Sequence, residues 1–120
     1  MPLLRQDKTD EEKALDLRWH AVRARVKEMF GRRPDLNAML FLIGMNEVGI
    51  VKEHWEKEEK QELMHVAVCK LLSTDGYYTF SHFDAEGYPH YVANKTLPPL
   101  TLAEQERLLK LRIVEYFENL

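Results

Sequence analysis

Thirteen residues constrain this chain more than any others. From Leu36 to about Val48 it reads LNAMLFLIGMNEV. At helical spacing Leu36, Met39, Leu40, Phe41, Leu42, Ile43, Met45 and Val48 spread around the whole circumference, so this helix needs cover on nearly every side. It is expected either at the centre of a small domain or at a subunit interface. Asp35 is placed to cap its start and Gly49 to end it. Gly44 costs about 1 kcal/mol relative to Ala inside a helix, so a close backbone crossing is expected there.

Three further helices are legible around it. Asp10 to Phe30 repeats Leu15, Trp19, Val22, Val26, Met29 and Phe30 on one side, begins with Asp10, Glu11 and Glu12, and stops at Gly31, Arg32, Arg33 and Pro34. Another starts between Lys52 and Lys57 and runs to about Thr74, with Gly76 to close it; its first half is solvated apart from Trp55, and its second half, LMHVAVCKLL, enters the core. The last begins at Thr101, which forms a capping box with Glu104, and ends near Asn119. Its apolar stripe is Leu102, Leu109, Ile113, Tyr116, Phe117 and Leu120.

Between Tyr77 and Pro99 the helical period disappears. Six aromatic residues fall between Tyr77 and Tyr91, with turn formers in the middle. A three-residue loop of Ala85, Glu86 and Gly87 makes a hairpin that sets His82 opposite His90, and Pro89 marks an edge strand or an irregular pair. The expected fold is therefore all-α or mainly α: a four-helix bundle-like domain over residues 1–120 with a short aromatic-rich hairpin or irregular insert before the last helix.

Composition narrows the setting. The chain has 120 residues, 17 Lys and Arg against 20 Asp and Glu, and a single Cys. At this size about two-thirds of the unfolded surface can be buried, so a core forms without staples. One Cys excludes an internally disulfide-bonded secreted scaffold, although a secreted protein without disulfides stays open; cytoplasm is the expected location. The start MPLLRQDKTDEEK lacks the apolar stretch of a signal peptide. The longest apolar run, Met39 to Ile43, is far below the roughly 20 residues that span a bilayer, so no membrane passage is expected.

The segments FLIGMNEVG, EEKQELMHVAVCKLL and DAEGYPHY resemble a small uncharacterised all-helical protein family of Bacteroidota, over most of the chain. That resemblance implies a helical fold. No reaction or ligand comes with it, so no catalytic residue is carried over.

The residues themselves nominate three sites. Glu58, Glu62, His65 and Cys69 recur at three- and four-residue spacing on one helical face. Glu62, His65 and Cys69 have the local spacing of metal ligands, and with Glu47 they form the candidate catalytic set of an acid/base or metal-dependent enzyme. A structural metal needs about two more ligands, however, and Glu47, Asp16 and His20 are the candidates for completing a dimetal set. The bland reading packs His65 and Cys69 at the core edge, with His65 hydrogen-bonded to Glu62 and Cys69 buried and inert. Glu47, if buried, needs a partner such as Arg23 or His20.

The second site is His82, Tyr88, His90 and Tyr91 with Asp84, read as a lid on the helical core, a partner-binding or self-association surface, or a small-molecule pocket. The third is a basic patch of Arg18, Arg23, Arg25, Lys27, Arg32 and Arg33 against the single acid Glu28. It suits a phosphate backbone, but a net charge of -3 and the lack of a recognised nucleic-acid module make nucleic acid the weaker alternative. Salt bridges to Asp16, Glu12 and the acidic start of the third helix, or a subunit contact, are the simpler use. No G-x-G-x-x-G or Walker sequence occurs, and no cofactor is expected. The leading functional expectation is a helical interaction or structural protein that self-associates as a homodimer, because four helices in 120 residues supply limited cover for the apolar second one.

Overall fold

Helix α1, Asp10–Phe30, starts where the Thr9 side chain accepts the Glu12 N–H, and it ends where Gly31 takes a left-handed φ of 83°. The computed structural model describes residues 8–120. Helix α2, Leu36–Val48, is capped by Asp35 and closed by Gly49; α3, Lys57–Ser73, is supported by Glu59 reaching back to the Glu56 N–H; α4, Leu102–Glu118, carries the reciprocal Thr101–Glu104 capping box. Strands β1, Tyr78–Phe83, and β2, Pro89–Ala93, form a two-stranded antiparallel sheet between α3 and α4. The chain is thus mainly α. Among the described residues no helix is long and apolar enough to cross a membrane.

All four helices feed one core. Leu15, Trp19, Val22 and Val26 of α1 meet Met39, Leu40 and Ile43 of α2, Ala67 and Leu71 of α3, and Ile113, Val114 and Phe117 of α4. The closest approach is between α2 and α3. A Cβ added at Gly44 would stand 2.2 Å from the Leu63 carbonyl oxygen, so the crossing expected at Gly44 is present and leaves no room for a side chain. A smaller cluster of Trp55, Leu63, Val66 and Tyr88 joins this crossing to the hairpin. Trp55 is buried in the segment before α3, edge-on to Phe41 at 5.9 Å, and its Nε1–H has no hydrogen-bond partner among the described residues.

Two expectations about burial need correction. Met29 and Phe30 continue the stripe of α1 in sequence but are exposed, at 66% and 57%, on an open groove shared with Leu42 and Met45 of α2 and Phe117 of α4. Leu102 and Leu120, at the two ends of the α4 stripe, are also exposed. Nor is α2 covered all round: Leu42, Met45 and Val48 are only half-buried.

Candidate functional site

The hairpin forms as its sequence directs. Gly87 has a φ of 91°, the Asp84 N–H donates to the Tyr88 carbonyl, and three residues make the loop. The Asp84 carboxylate organises this turn by accepting the N–H groups of Glu86 at 2.9 Å and Tyr88 at 3.0 Å, and it also meets His90 Nε2 at 2.9 Å. The His90 contact and the two N–H donors hold Asp84 below the ordinary carboxylate range. His82 and His90 lie opposite each other, as expected, with rings stacked 4.9 Å apart and 4° from parallel. A bulge between Phe80 and His82 interrupts the ladder. Phe80 packs on Phe83 and Tyr91.

The hairpin lies along α3 and brings two of the nominated sites together. Glu62, His65 and Cys69 from α3 and Tyr88, His90 and Tyr91 from the hairpin line one small cavity of about 120 Å³. The hairpin covers this side of α3 and seals the Trp55 cluster through Tyr88, so it is a lid over part of α3 only. Cys69 is buried, while Glu62 and His65 are exposed. His65 Nε2 lies 3.5 Å from Cys69 Sγ, so the partner of His65 is the thiol one turn on and not the expected Glu62. Burial pushes the Cys69 thiol up, away from the thiolate that a nucleophile requires. Burial likewise raises the Tyr88 and Tyr91 phenols.

Glu47 is elsewhere. It lines a separate polar cleft of about 360 Å³ with Asn46, Lys70, Thr74, Arg112 and Tyr116. Its partner is neither Arg23 nor His20: the Tyr116 hydroxyl donates to Glu47 Oε2 at 2.7 Å and accepts from Asn46 Nδ2 at 2.6 Å, with Lys70 Nζ 3.8 Å from Glu47 Oε1. Burial pushes the Tyr116 phenol well above its ordinary range. Arg112, on the same wall, grips Asp75 with two hydrogen bonds of 2.8 and 2.6 Å and also holds Glu115. The proposed catalytic set is therefore split, with Glu62, His65 and Cys69 in one cavity and Glu47 in another. Among the described residues no three His, Cys, Asp or Glu side chains gather as a metal would require, so Asp16 and His20 complete no dimetal set.

The basic patch is also dispersed in its pairing. Arg18 forms a two-bond pair with Glu118 of α4, and Arg23 donates to the Pro34 carbonyl at 2.7 Å. Of the carboxylates expected to neutralise the patch, Asp16 is held by Lys8, Glu12 by Arg107 and Glu59 by Lys52. Arg25, Lys27, Arg32 and Arg33 have no ion-pair partner among the described residues.

What these arrangements offer is surface. The hairpin shows Phe80 at 46% and Phe83 at 61% exposure, with Val92 also open to solvent. No Asp, Glu, Lys or Arg occurs in either strand. No signal in the strand sequences themselves marks Phe80 and Phe83 as the outward residues, because the bulge that sets their direction is a pairing feature. No protein-family model, curated protein or solved structure matches this chain. The functional reading therefore rests on the geometry.

Proposed function

We propose that this chain is a helical interaction protein, built on a bundle-like core of four helices, that pairs with a second copy of itself through the hairpin. The observation that supports the reading is the exposed aromatic surface of Phe80 and Phe83 on a sheet of only two strands. Such a sheet has a free edge on each strand, is marginal by itself, and carries no charged residue to discourage pairing. Proteins that remain single manage such edges with Lys, Pro, bulges or short strands; here Pro89 at the first position of β2 and the bulge between Phe80 and His82 interrupt the edges, while neither strand carries a Lys. A two-fold arrangement brings the same apolar patch from both copies together, which is the commonest closed symmetry. Removing these rings from water supplies roughly 25 cal/mol for each Å² covered.

Light scattering on the full chain at micromolar concentration tests the proposal. The expected mass is twice the 14.2 kDa of one chain, falling to a single chain when Phe80→Asp and Phe83→Asp are combined. A wild-type mass of one chain overturns it, as does a dimer that persists in the double variant with an unchanged circular dichroism spectrum.

A further inference from the structure

The polar cleft around Glu47 carries charge that the fold uses only in part. It lies between the last turn of α2, the last turn of α3 and the second half of α4, and its volume of about 360 Å³ is in the range of small-molecule sites. Two cations, Lys70 and Arg112, and two anions, Glu47 and Glu115, line it. They divide into a closed set and an open pair. Arg112 spends its guanidinium on two hydrogen bonds to Asp75 and a third to Glu115.

Lys70 and Glu47 are the open pair. Lys70 Nζ stands 3.8 Å from Glu47 Oε1, too far for a hydrogen bond, and neither atom has another partner among the described residues. The carboxylate is nevertheless held in place. Tyr116 donates to its other oxygen, Oε2, at 2.7 Å, and Asn46 fixes the Tyr116 hydroxyl at 2.6 Å. The Glu47 side chain is 21% exposed and that of Lys70 45%, so the carboxylate is largely withdrawn from water while keeping acceptor capacity on Oε1. Leu71, which is buried, and Leu120, which is exposed, give the same cleft an apolar wall.

We propose that this cleft binds a free α-amino acid with an apolar side chain, its ammonium on Glu47 Oε1, its carboxylate on Lys70 Nζ and its side chain against Leu71 and Leu120. The four lining charges sum to zero. A ligand of a single sign leaves one of its charges facing its own kind, whereas a zwitterion laid antiparallel to the open pair sets each end against its opposite. Spacing selects the α-amino acid among zwitterions. Its ammonium nitrogen lies about 2.5 Å from the carboxyl carbon and up to about 3.6 Å from the carboxyl oxygens, which matches charges 3.8 Å apart, and each methylene inserted between them widens the gap by more than about 1 Å. No hairpin residue lines the cleft, so the proposal does not depend on the pairing proposed there.

Isothermal titration calorimetry of the full chain at pH 7 tests it with L-leucine, L-leucinamide and 4-methylpentanoate as probes. All three carry the same side chain; leucinamide lacks the carboxylate and 4-methylpentanoate lacks the amine. Leucine is expected to bind with a dissociation constant below about 1 mM, at least about tenfold more tightly than either analogue. Glu47→Gln and Lys70→Met are each expected to weaken leucine about tenfold, with the circular dichroism spectrum unchanged, because Gln still accepts from Tyr116 and Lys70 is exposed. The analogue series on the wild-type chain stands whether or not the variants fold. Binding of neither L-leucine nor L-phenylalanine at about 10 mM overturns the proposal. So does leucinamide binding as tightly as leucine, which makes the cleft a cation site, or 4-methylpentanoate doing so, which makes it an anion site. Leucine affinity unchanged in both folded variants overturns it as well, because the ligand then sits elsewhere.

Discussion

Helix α3 meets α2 and the hairpin by opposite means. Against α2 it is locked by absence: Gly44 has no side chain, and the Leu63 backbone occupies the space where one would be. Against the hairpin it is covered by addition, with Tyr88 and Pro89 buried, Tyr91 half-buried, and Glu62 and His65 still in water at the margin. The first seam leaves no slack at Gly44. The second is a strap of rings on a surface, and two of its rings, Phe80 and Phe83, remain exposed. The first seam is therefore expected to carry more of the stability than the second, which keeps apolar surface exposed.

Substitution at the crossing tests this contrast most severely. Gly44→Val forces three carbons onto a backbone carbonyl that no rotamer change can move, so a loss of about 3 kcal/mol or more is expected from overpacking. The helical φ of Gly44 is ordinary, so relief of glycine flexibility acts in the other direction but is worth at most about 1 kcal/mol. Urea unfolding with an unchanged slope and a lower midpoint is the expected reading; a midpoint equal to wild type breaks the comparison. Tyr88→Ala is expected to cost less, about 2 kcal/mol, and to act locally. Hydrogen exchange distinguishes the two variants: amides of β1 and β2 lose protection in Tyr88→Ala while those of α2 keep it, whereas Gly44→Val lowers both together.

Acidity gives the smallest effect and the one most confined to the hairpin. The carboxyl of Asp84 is held below its unfolded value of 3.8 by His90 and by the Tyr88 and Glu86 N–H groups. A depressed carboxyl contributes its stability fully above the unfolded value and loses it as pH falls through the folded one. Protection of the Glu86 and Tyr88 amides is therefore expected to decline below about pH 4, ahead of any change in α2. Asp84→Ala is expected to remove the pH dependence at these two amides. If it persists there unchanged, Asp84 is not its source.

Much of the local structure is readable in one dimension. Asp35, Thr101 with Glu104, Gly31, Gly49 and Gly87 act through atoms within about four residues, and their caps and turns appear where their spacing puts them. The His82–His90 register follows from the length of the loop between them. Partners distant in sequence are a different matter. Glu47 meets Tyr116, 69 residues on, and Arg18 meets Glu118, 100 residues on, through a helix packing that no local pattern encodes. The candidate site was legible as two halves, since the face bearing Glu62, His65 and Cys69 and the aromatic hairpin are both sequence features. That they share a cavity, and that Glu47 is outside it, was not.

The amino-acid order by itself determined where helices begin and end, which residue had to be glycine for two helices to touch, and that α2 carries more apolar surface than a short chain covers. Tertiary structure decided where that surplus appears. Periodicity records the side of a helix on which an apolar residue stands, but burial requires a neighbour on that side, and the neighbours are supplied by packing. Met29 and Phe30 continue the α1 pattern unbroken and still end in water, on an open groove they share with Leu42, Met45 and Phe117.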